Sequence, residues 1–429
     1  MQLQGGKLLI TMDYRILPPD GIFEASVSLP PSKSIGTRAA VMAALAGGSA
    51  PSEVCADTAT ISRILQAPLV GTIDVGPAGT AMRFLCAVAA AREGSDCVLT
   101  GSERMLHRPI GPLVDALRTL GADIEYIGEE GFPPLKIRGR RLAGGSVDID
   151  ASVSSQFISA LMMVAPLMQS SLTVNLRGIV GSLPYIHMTA AMMRRRGIAV
   201  ETEPLSIVVP NTPYTVAVVA GDDEPDWSGA SFWYEIAALT AGWVTLKGLR
   251  GDSIQGDCSQ TELFERLGVV TEFTDEGAEL SGSPDLYSHL DADLSGMPDL
   301  VPALAVTAAL VGVRFRFTGV GALHHKECDR MEALCRELAK IGVDLEVEDY
   351  GTTLSWDGSR RPITELPVFD TYSDHRMAMC LAPIAVFLPG IVVRDVEVVD
   401  KSYPSFWDEL RAAGFTLLDP SEPIPVLDV

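Results

Sequence analysis

The chain has 429 residues, and its 33 Lys and Arg against 55 Asp and Glu give a formal net charge of −22, so nucleic acid and anionic membranes are excluded as expected partners. Hydrophobic residues make up 47%, ample for packed cores, and the length suits two domains better than one. The seven cysteines (Cys55, Cys86, Cys97, Cys258, Cys328, Cys335 and Cys380) form no CxxC pair and read as reduced cytosolic thiols, not as a disulfide framework or a zinc site.

Met1 to Asp20 has no basic region followed by an apolar core, so no secretory leader is expected. Beyond it one pattern recurs six times: a polar cluster, an Ala/Met/Leu-rich helix, a glycine, then a β-rich run. Ser32-Lys33-Ser34 leads into AAVMAALAGG, Gly79-Thr80 into AMRFLCAVAAA, and Ser154-Ser155-Gln156 into FISALMMVAPL. Asp226-Trp227-Ser228 leads into ASFWYEIAALTAG, Pro298-Asp299 into LVPALAVTAALVG, and Asp374-His375-Arg376 into MAMCLAPIAVFL. The last three intervals are 74, 71 and 75 positions. These helices have almost no polar face, and a helix apolar all round is a buried one.

Strands are expected after most of them, as at Val98–Thr100, Leu172–Val174, Val244–Leu246 and Phe315–Phe317. Amphipathic second helices follow from Pro112, Gln260 and Cys328, each ending near a glycine. Met377 to Val393 is the longest apolar run, shorter than the roughly 20 residues a spanning helix needs and broken by Pro383 and Pro389, so it reads as a buried helix followed by a strand. The pattern predicts an α/β protein of two similar domains, three repeats each, with helices inside and sheets outside. The polar linker Gly221–Asp226 sets the expected boundary: residues 30–225 form the first domain, and residues 226–429 with 1–29 the second.

Each polar cluster stands where a buried helix exposes unpaired backbone N–H groups and partial positive charge. Capping alone explains Ser, Asp and Thr there. It does not explain why Lys33, Arg38, Arg83, Arg104, Arg108, Lys326, Arg330, Arg376 and Lys401 gather at or beside helix starts in so acidic a chain. A phosphate and a carboxylate are the ligands such a set suits. No GxxxxGK[ST] or strand-led GxGxxG stretch points to a nucleotide. Arg194-Arg195-Arg196 reads as solvated charge closing a helix.

LPPSKSIGTRAA (29–40), GPAGTAMRFL (76–85), LTGSERMLHRPIGPLVDALRTLGA (99–122), GSLPYI (181–186), IQGD (254–257), PDLVPALAV (298–306), HKECDRMEAL (325–334), YSDHRMAM (372–379) and DKSYPSFWDEL (400–410) resemble the enolpyruvyl transferases. In this order they resemble the 5-enolpyruvylshikimate-3-phosphate synthase family, from about Leu29 to Gly414. The resemblance implies two inside-out α/β barrels of three βαβαββ units that close over substrate. It also implies transfer of the enolpyruvyl group of phosphoenolpyruvate to the 5-hydroxyl of shikimate-3-phosphate, without cofactor or metal.

Carried over residue by residue, it assigns Ser34 and Arg38 to the shikimate carboxylate. Ser154, Ser155, Ser182 and Lys326 fall to the 3-phosphate, with Tyr185 nearby and Gln156 between the ligands. Arg108, Arg330, Arg376 and Lys401 fall to phosphoenolpyruvate, with Gly79 lining that pocket. Asp299 takes the hydroxyl proton, while Lys33 and Glu327 serve the enol carbon. A monomeric cytoplasmic enzyme, with glyphosate as a competing inhibitor, is part of the same expectation.

Every assignment has a plainer rival: Asp299 as a cap, Glu327 as a surface partner of Arg330, Lys401 as an exposed strand-end lysine, His375 as a structural hydrogen-bonder. His324 and His325 lack further spaced ligands for a metal.

The sequence departs from the family at Pro31, Gly36-Thr37, Pro77, Ala322 and His324-His325, and the stretch from Arg38 to Gly79 is short, as though a strand or helix of the first repeat were missing. Rival functions are enolpyruvyl transfer to UDP-N-acetylglucosamine, disfavoured because the loop Gly101–Arg108 lacks a cysteine, an RNA-terminal phosphate cyclase, disfavoured by charge, and an anion-binding module without turnover.

Overall fold

A computed structural model describes residues 2–4, 7–9, 12–49, 55–151, 154–178 and 181–422. Two compact units divide it: Pro31–Glu224 with Ile254–Gly256 form one, here the first unit, and the rest of the described chain forms the second. Each closes on its own apolar core. The return of Ile254–Gly256 to the first unit was not expected from sequence. Ile254 packs against that unit's core, Gln255 Nε2 donates to Glu224 Oε1 at 2.7 Å, and Gly256 leaves room for Pro184, which a Cβ would meet at 2.2 Å.

The first unit contains helices α1 (Lys33–Leu45), α2 (Ala56–Leu65), α3 (Gly79–Ala91), α4 (Glu103–Leu106), α5 (Gly111–Thr119), α6 (Ser155–Val164) and α7 (Leu183–Arg195). Strand Val70–Asp74 runs parallel to Asp96–Thr100, which pairs antiparallel with Leu135–Arg138 and through it with Asp123–Tyr126. With α3 and α5 this is one βαβαββ module. Gly145–Asp150, Leu172–Arg177, Ser206–Val209 and Glu201–Glu203 repeat the same connectivity with α6 and α7.

The third module of this unit is reduced. Among the described residues, α1 and α2 have no four-stranded sheet of their own. Helix α2 is therefore present in the short 39–78 stretch. Val70–Asp74 belongs to the next module, where it forms an edge exposed along most of its length.

The second unit contains α8 (Trp227–Thr240), α9 (Gln260–Glu265), α10 (Val301–Val311), α11 (Arg330–Ala339), α12 (His375–Leu381) and α13 (Phe406–Ala412), with three four-stranded sheets. Two of these sheets borrow a strand from the start of the chain: Glu24–Val27 pairs parallel with Trp243–Lys247, and Tyr14–Leu17 antiparallel with Ile391–Val393. Every residue of α10 from Val301 to Leu310 is buried, the outcome its all-apolar sequence dictates. Outer strands alternate, Glu24–Val27 reading exposed, buried, exposed, buried, so one face of the sheet covers the helices. Met377–Val393 resolves into the end of α12, a 3₁₀ turn and strand Ile391–Val393.

One expectation fails in detail. Arg194 and Arg195 are solvated, but Arg196 is buried and ion-paired to Asp222. The helix turns its last arginine inward, where the polar linker supplies a carboxylate, because an unpaired buried charge is far costlier than a paired one.

Glu235 sits in the middle of α8 with no exposure, and neither carboxyl oxygen has a hydrogen-bond partner. Burial holds its carboxyl well above its ordinary value of 4.5, so it stays protonated where the unfolded chain ionises. The folded state then holds a proton the unfolded state releases, and stability falls as pH rises above 4.5. Glu235→Gln has no proton to lose. Its unfolding free energy relative to the parent should improve steadily from about pH 4 to about pH 8, read by denaturant unfolding at each pH; parallel curves would refute this.

Candidate active site

Nearly all the residues singled out from sequence stand at helix N-termini. Lys33 and Ser34 open α1, Gly79 opens α3, and Ser155 and Gln156 open α6. Ser182 and Tyr185 start α7, Asp299 precedes α10, Arg330 opens α11 behind Lys326 and Glu327, and Arg376 lies in the first turn of α12. Arg108 follows α4, and Lys401 ends the turn Val396–Lys401. Some of the clusters do cap. Ser154 accepts from Gln156 N at 3.3 Å, Asp226 from Gly229 N at 3.2 Å and Asp374 from Arg376 N at 2.9 Å.

In the second unit the charged residues form one knot. The Asp299 carboxylate accepts from Lys326 Nζ at 3.2 Å, Arg330 Nη1 at 2.8 Å and Arg376 Nη2 at 2.9 Å. Glu327 takes Arg330 Nη2 and Lys401 Nζ, both at 3.0 Å. Arg330 Nε donates to Asp374 at 2.7 Å. Four cations meet three carboxylates, 4 − 3 = +1, with Arg330 and Asp374 fully enclosed.

Burial opposes the Arg330 charge, yet Asp374, Glu327 and Asp299 together hold its guanidinium above its ordinary value. Lys326 is pulled the other way, chiefly by burial. Helix α10 takes Leu300 as its N-cap, and ion pairs engage the Asp299 carboxylate. The Glu327–Arg330 pair is enclosed, and Lys401 is only 11% exposed, so the surface readings of both give way.

Three members of this neighbourhood were missed. Asp374 opens the polar cluster Asp374-His375-Arg376, a DHR context that signals a cap with charged neighbours. Asp257 is buried and accepts from Ser228 Oγ at 2.5 Å; burial, then the Asp299 charge, pushes its carboxyl up to about 7. Nothing local in IQGD marks it as facing Asp299. His324, a departure from the family pattern, binds Asp329 Oδ2 at 2.7 Å and the Gly351 carbonyl at 3.2 Å, bracing the turn that carries Lys326 and Glu327.

In the first unit Arg38 and Gln156 meet hydroxyl and carbonyl groups. Arg38, 2% exposed, donates from Nε to Thr189 Oγ1 at 2.7 Å, from Nη1 to the Ser34 carbonyl at 2.8 Å and from Nη2 to Ser159 Oγ at 3.1 Å. Burial lowers its guanidinium to about 10. Gln156 Nε2 donates to Thr80 Oγ1 at 3.1 Å, joining the starts of α6 and α3. Ser182 caps α7 in left-handed backbone, φ 56°, a conformation non-glycine residues keep mainly where surroundings enforce it. Arg83, assigned to no ligand from sequence, donates to the Gly79 carbonyl at 3.1 Å and the Pro109 carbonyl at 2.9 Å, tying the start of α3 to the loop bearing Arg108. Buried guanidinium groups bonded to carbonyls and hydroxyls retain their charge for an anionic ligand.

A family model described as EPSP synthase (3-phosphoshikimate 1-carboxyvinyltransferase) matches residues 52–410. The chain belongs to the EPSP synthase family. It is 44% identical over 409 residues to a 3-phosphoshikimate 1-carboxyvinyltransferase of Bacteroides fragilis, covering 94% of this chain and 98% of that one. A 3-phosphoshikimate 1-carboxyvinyltransferase of Colwellia psychrerythraea is 33% identical over 429 residues, with 93% and 99% covered. The solved EPSP synthase of Acinetobacter baumannii superposes with a TM-score of 0.71 at 21% identity, covering 95% of this chain and 100% of that one, and so shares its fold.

Within this EPSP synthase fold Gly79 has a concrete reason to be glycine. A Cβ there would lie 2.3 Å from Arg108 Nη1 and 2.8 Å from its Cζ, so the guanidinium rests directly on the glycine. Gly79→Ala must displace Arg108, the flexible partner, while α3 stays in place. The KM for phosphoenolpyruvate, assigned to Arg108 by resemblance, should rise about tenfold, the equivalent of one charged contact, with the melting temperature unchanged. An unaltered KM would show that Arg108 does not bind this substrate.

Proposed function

We propose that the chain transfers the enolpyruvyl group of phosphoenolpyruvate to the 5-hydroxyl of shikimate-3-phosphate and releases inorganic phosphate. The observation that carries this reading, together with family membership, is the knot around Asp299: one carboxylate held by Lys326, Arg330 and Arg376 at helix starts. In this reading Lys33, Ser34, Arg38, Ser154, Ser155, Gln156, Ser182, Asp299 and Lys326 hold shikimate-3-phosphate. Lys33, Gly79, Arg108, Gln156, Arg330, Arg376 and Lys401 hold phosphoenolpyruvate, and glyphosate competes there.

The chemistry is addition followed by elimination. A proton reaches the methylene carbon from Lys33 or Glu327, leaving the adjacent carbon electrophilic. The 5-hydroxyl oxygen bonds to that carbon as its proton passes to Asp299, giving a tetrahedral phospho-ketal. A methyl proton then returns to the conjugate base of the acid that gave the first one, the C–O bond to phosphate breaks as the double bond re-forms, and the proton held by Asp299 leaves with the phosphate.

The knot suits this sequence. Incoming phosphates and carboxylates compete with Asp299 for its three cations. A carboxylate relieved of opposite charges is a stronger base, so substrate binding itself prepares Asp299 to accept the proton. The same cations stabilise the leaving phosphate. A monomeric cytoplasmic enzyme without a cofactor belongs to the reading. No helix among the described residues is long and apolar enough to cross a membrane.

Mixing the protein with phosphoenolpyruvate and either shikimate-3-phosphate or UDP-N-acetylglucosamine, and following phosphate release, tests the reading. Release should occur with shikimate-3-phosphate alone. Release only with the sugar nucleotide would overturn it, and binding of both shikimate-pathway ligands without release would favour a non-catalytic anion-binding module. Asp299→Asn and Lys33→Met should each lower kcat by about 10²-fold or more, the usual contribution of a positioned acid or base, with cooperative thermal unfolding retained. Unchanged turnover in either variant refutes its role.

A further inference from the structure

Arg376 is delivered by the loop Asp370-Thr371-Tyr372-Ser373-Asp374, and this loop has an unusual backbone. Tyr372 and Ser373 are both left-handed, φ 54° and 57°. A residue with a Cβ pays a steric cost for this conformation, and it persists mainly where surrounding groups favour it.

Helix α11 supplies those groups. Glu337, fully buried, points both carboxylate oxygens at the loop. Its Oε1 accepts from the Tyr372 hydroxyl at 2.6 Å, and its Oε2 from the Asp370 backbone N–H at 3.0 Å and from Lys340 Nζ at 2.6 Å. Arg330 lies seven residues earlier, two turns along the same face, and donates to Asp374 at 2.7 and 3.2 Å. Asp374 in turn accepts from the backbone N–H of Arg376 at 2.9 Å. The left-handed pair is thus gripped on both sides by one helix, Glu337 ahead of it and Arg330 behind it. Glu337 itself belongs to no part of the charged knot around Asp299.

We propose that Glu337, acting through the Tyr372 hydroxyl, is a positioning residue: it holds the 372–373 turn left-handed and thereby fixes where the Arg376 guanidinium is presented to phosphoenolpyruvate. The inference rests on the assignment of Arg376 to that substrate. A buried carboxylate with three donors is a rigid anchor, because charge-assisted hydrogen bonds are short and strong and the group has no water to exchange with. Without the anchor the turn relaxes toward ordinary right-handed backbone, and Arg376 swings with it, since only Asp374 separates the turn from α12. The packed body of the second unit does not depend on the Tyr372 hydroxyl, so binding should suffer before folding does.

Tyr372→Phe deletes the hydroxyl and keeps the ring; Glu337→Gln replaces an acceptor-only group by an amide that cannot accept from all three donors. Both should raise the KM for phosphoenolpyruvate about tenfold, the scale of one hydrogen bond to a charged group, with the KM for shikimate-3-phosphate within about twofold. Arg376→Lys serves as the control, and Tyr372→Phe should add nothing in that background, because the group it positions has gone. If Arg376→Lys raises the phosphoenolpyruvate KM while Tyr372→Phe leaves it unchanged, or raises both KM values alike, positioning is overturned and the assignment of Arg376 stands. If Arg376→Lys leaves that KM unchanged, the assignment falls and the positioning role with it. Should Glu337→Gln fail to fold, Tyr372→Phe decides alone.

Discussion

The enclosed guanidinium of Arg330, at the start of α11, is neutralised three times, by Asp299, Glu327 and Asp374. That neutralisation organises the second unit's polar interior. Asp299 precedes α10, Asp374 caps α12 and Glu327 lies in the turn before α11, so satisfying one arginine brings three helix starts into register. Lys326, Arg376 and Lys401 then attach to carboxylates already fixed by Arg330. Removing any one carboxylate would leave an enclosed charge uncompensated, which is why such networks resist piecemeal change.

Buried cations are held in two ways. Around Asp299, and at Arg196 in the first unit, carboxylates balance the positive charge. At Arg38 and Arg83, carbonyls, hydroxyls and a thioether fix the geometry of the guanidinium groups.

Among the described residues α1 and α2 have no four-stranded sheet of their own. Residues 35–43 of α1 remain buried without it. Strand Val70–Asp74, which the next module needs as its first strand, is left as an exposed edge. The start of α1, with Lys33 and Ser34, keeps its helical form.

Much of this was legible in the sequence because buried helices announce themselves. Six all-apolar segments led by polar clusters can be packed only with helices inside and sheets outside, and cations at those helix starts can be afforded only near anions. What sequence left open was partnership. Whether Asp299 capped a helix or met cations, whether Glu327 and Lys401 were surface groups, and that Arg196 turned inward to Asp222 depended on residues 20 to 80 positions away that hydrogen bonds bring together. Asp257 and Glu337 carry no local signal at all: each is one acidic residue in an ordinary segment, and only burial against Ser228 or Tyr372 gives it a role. Local pattern determines which helices are buried, since hydrophobic periodicity is a property of neighbours in the chain. Which charge answers which is decided only by tertiary structure, because electrostatic partners are chosen by distance in space.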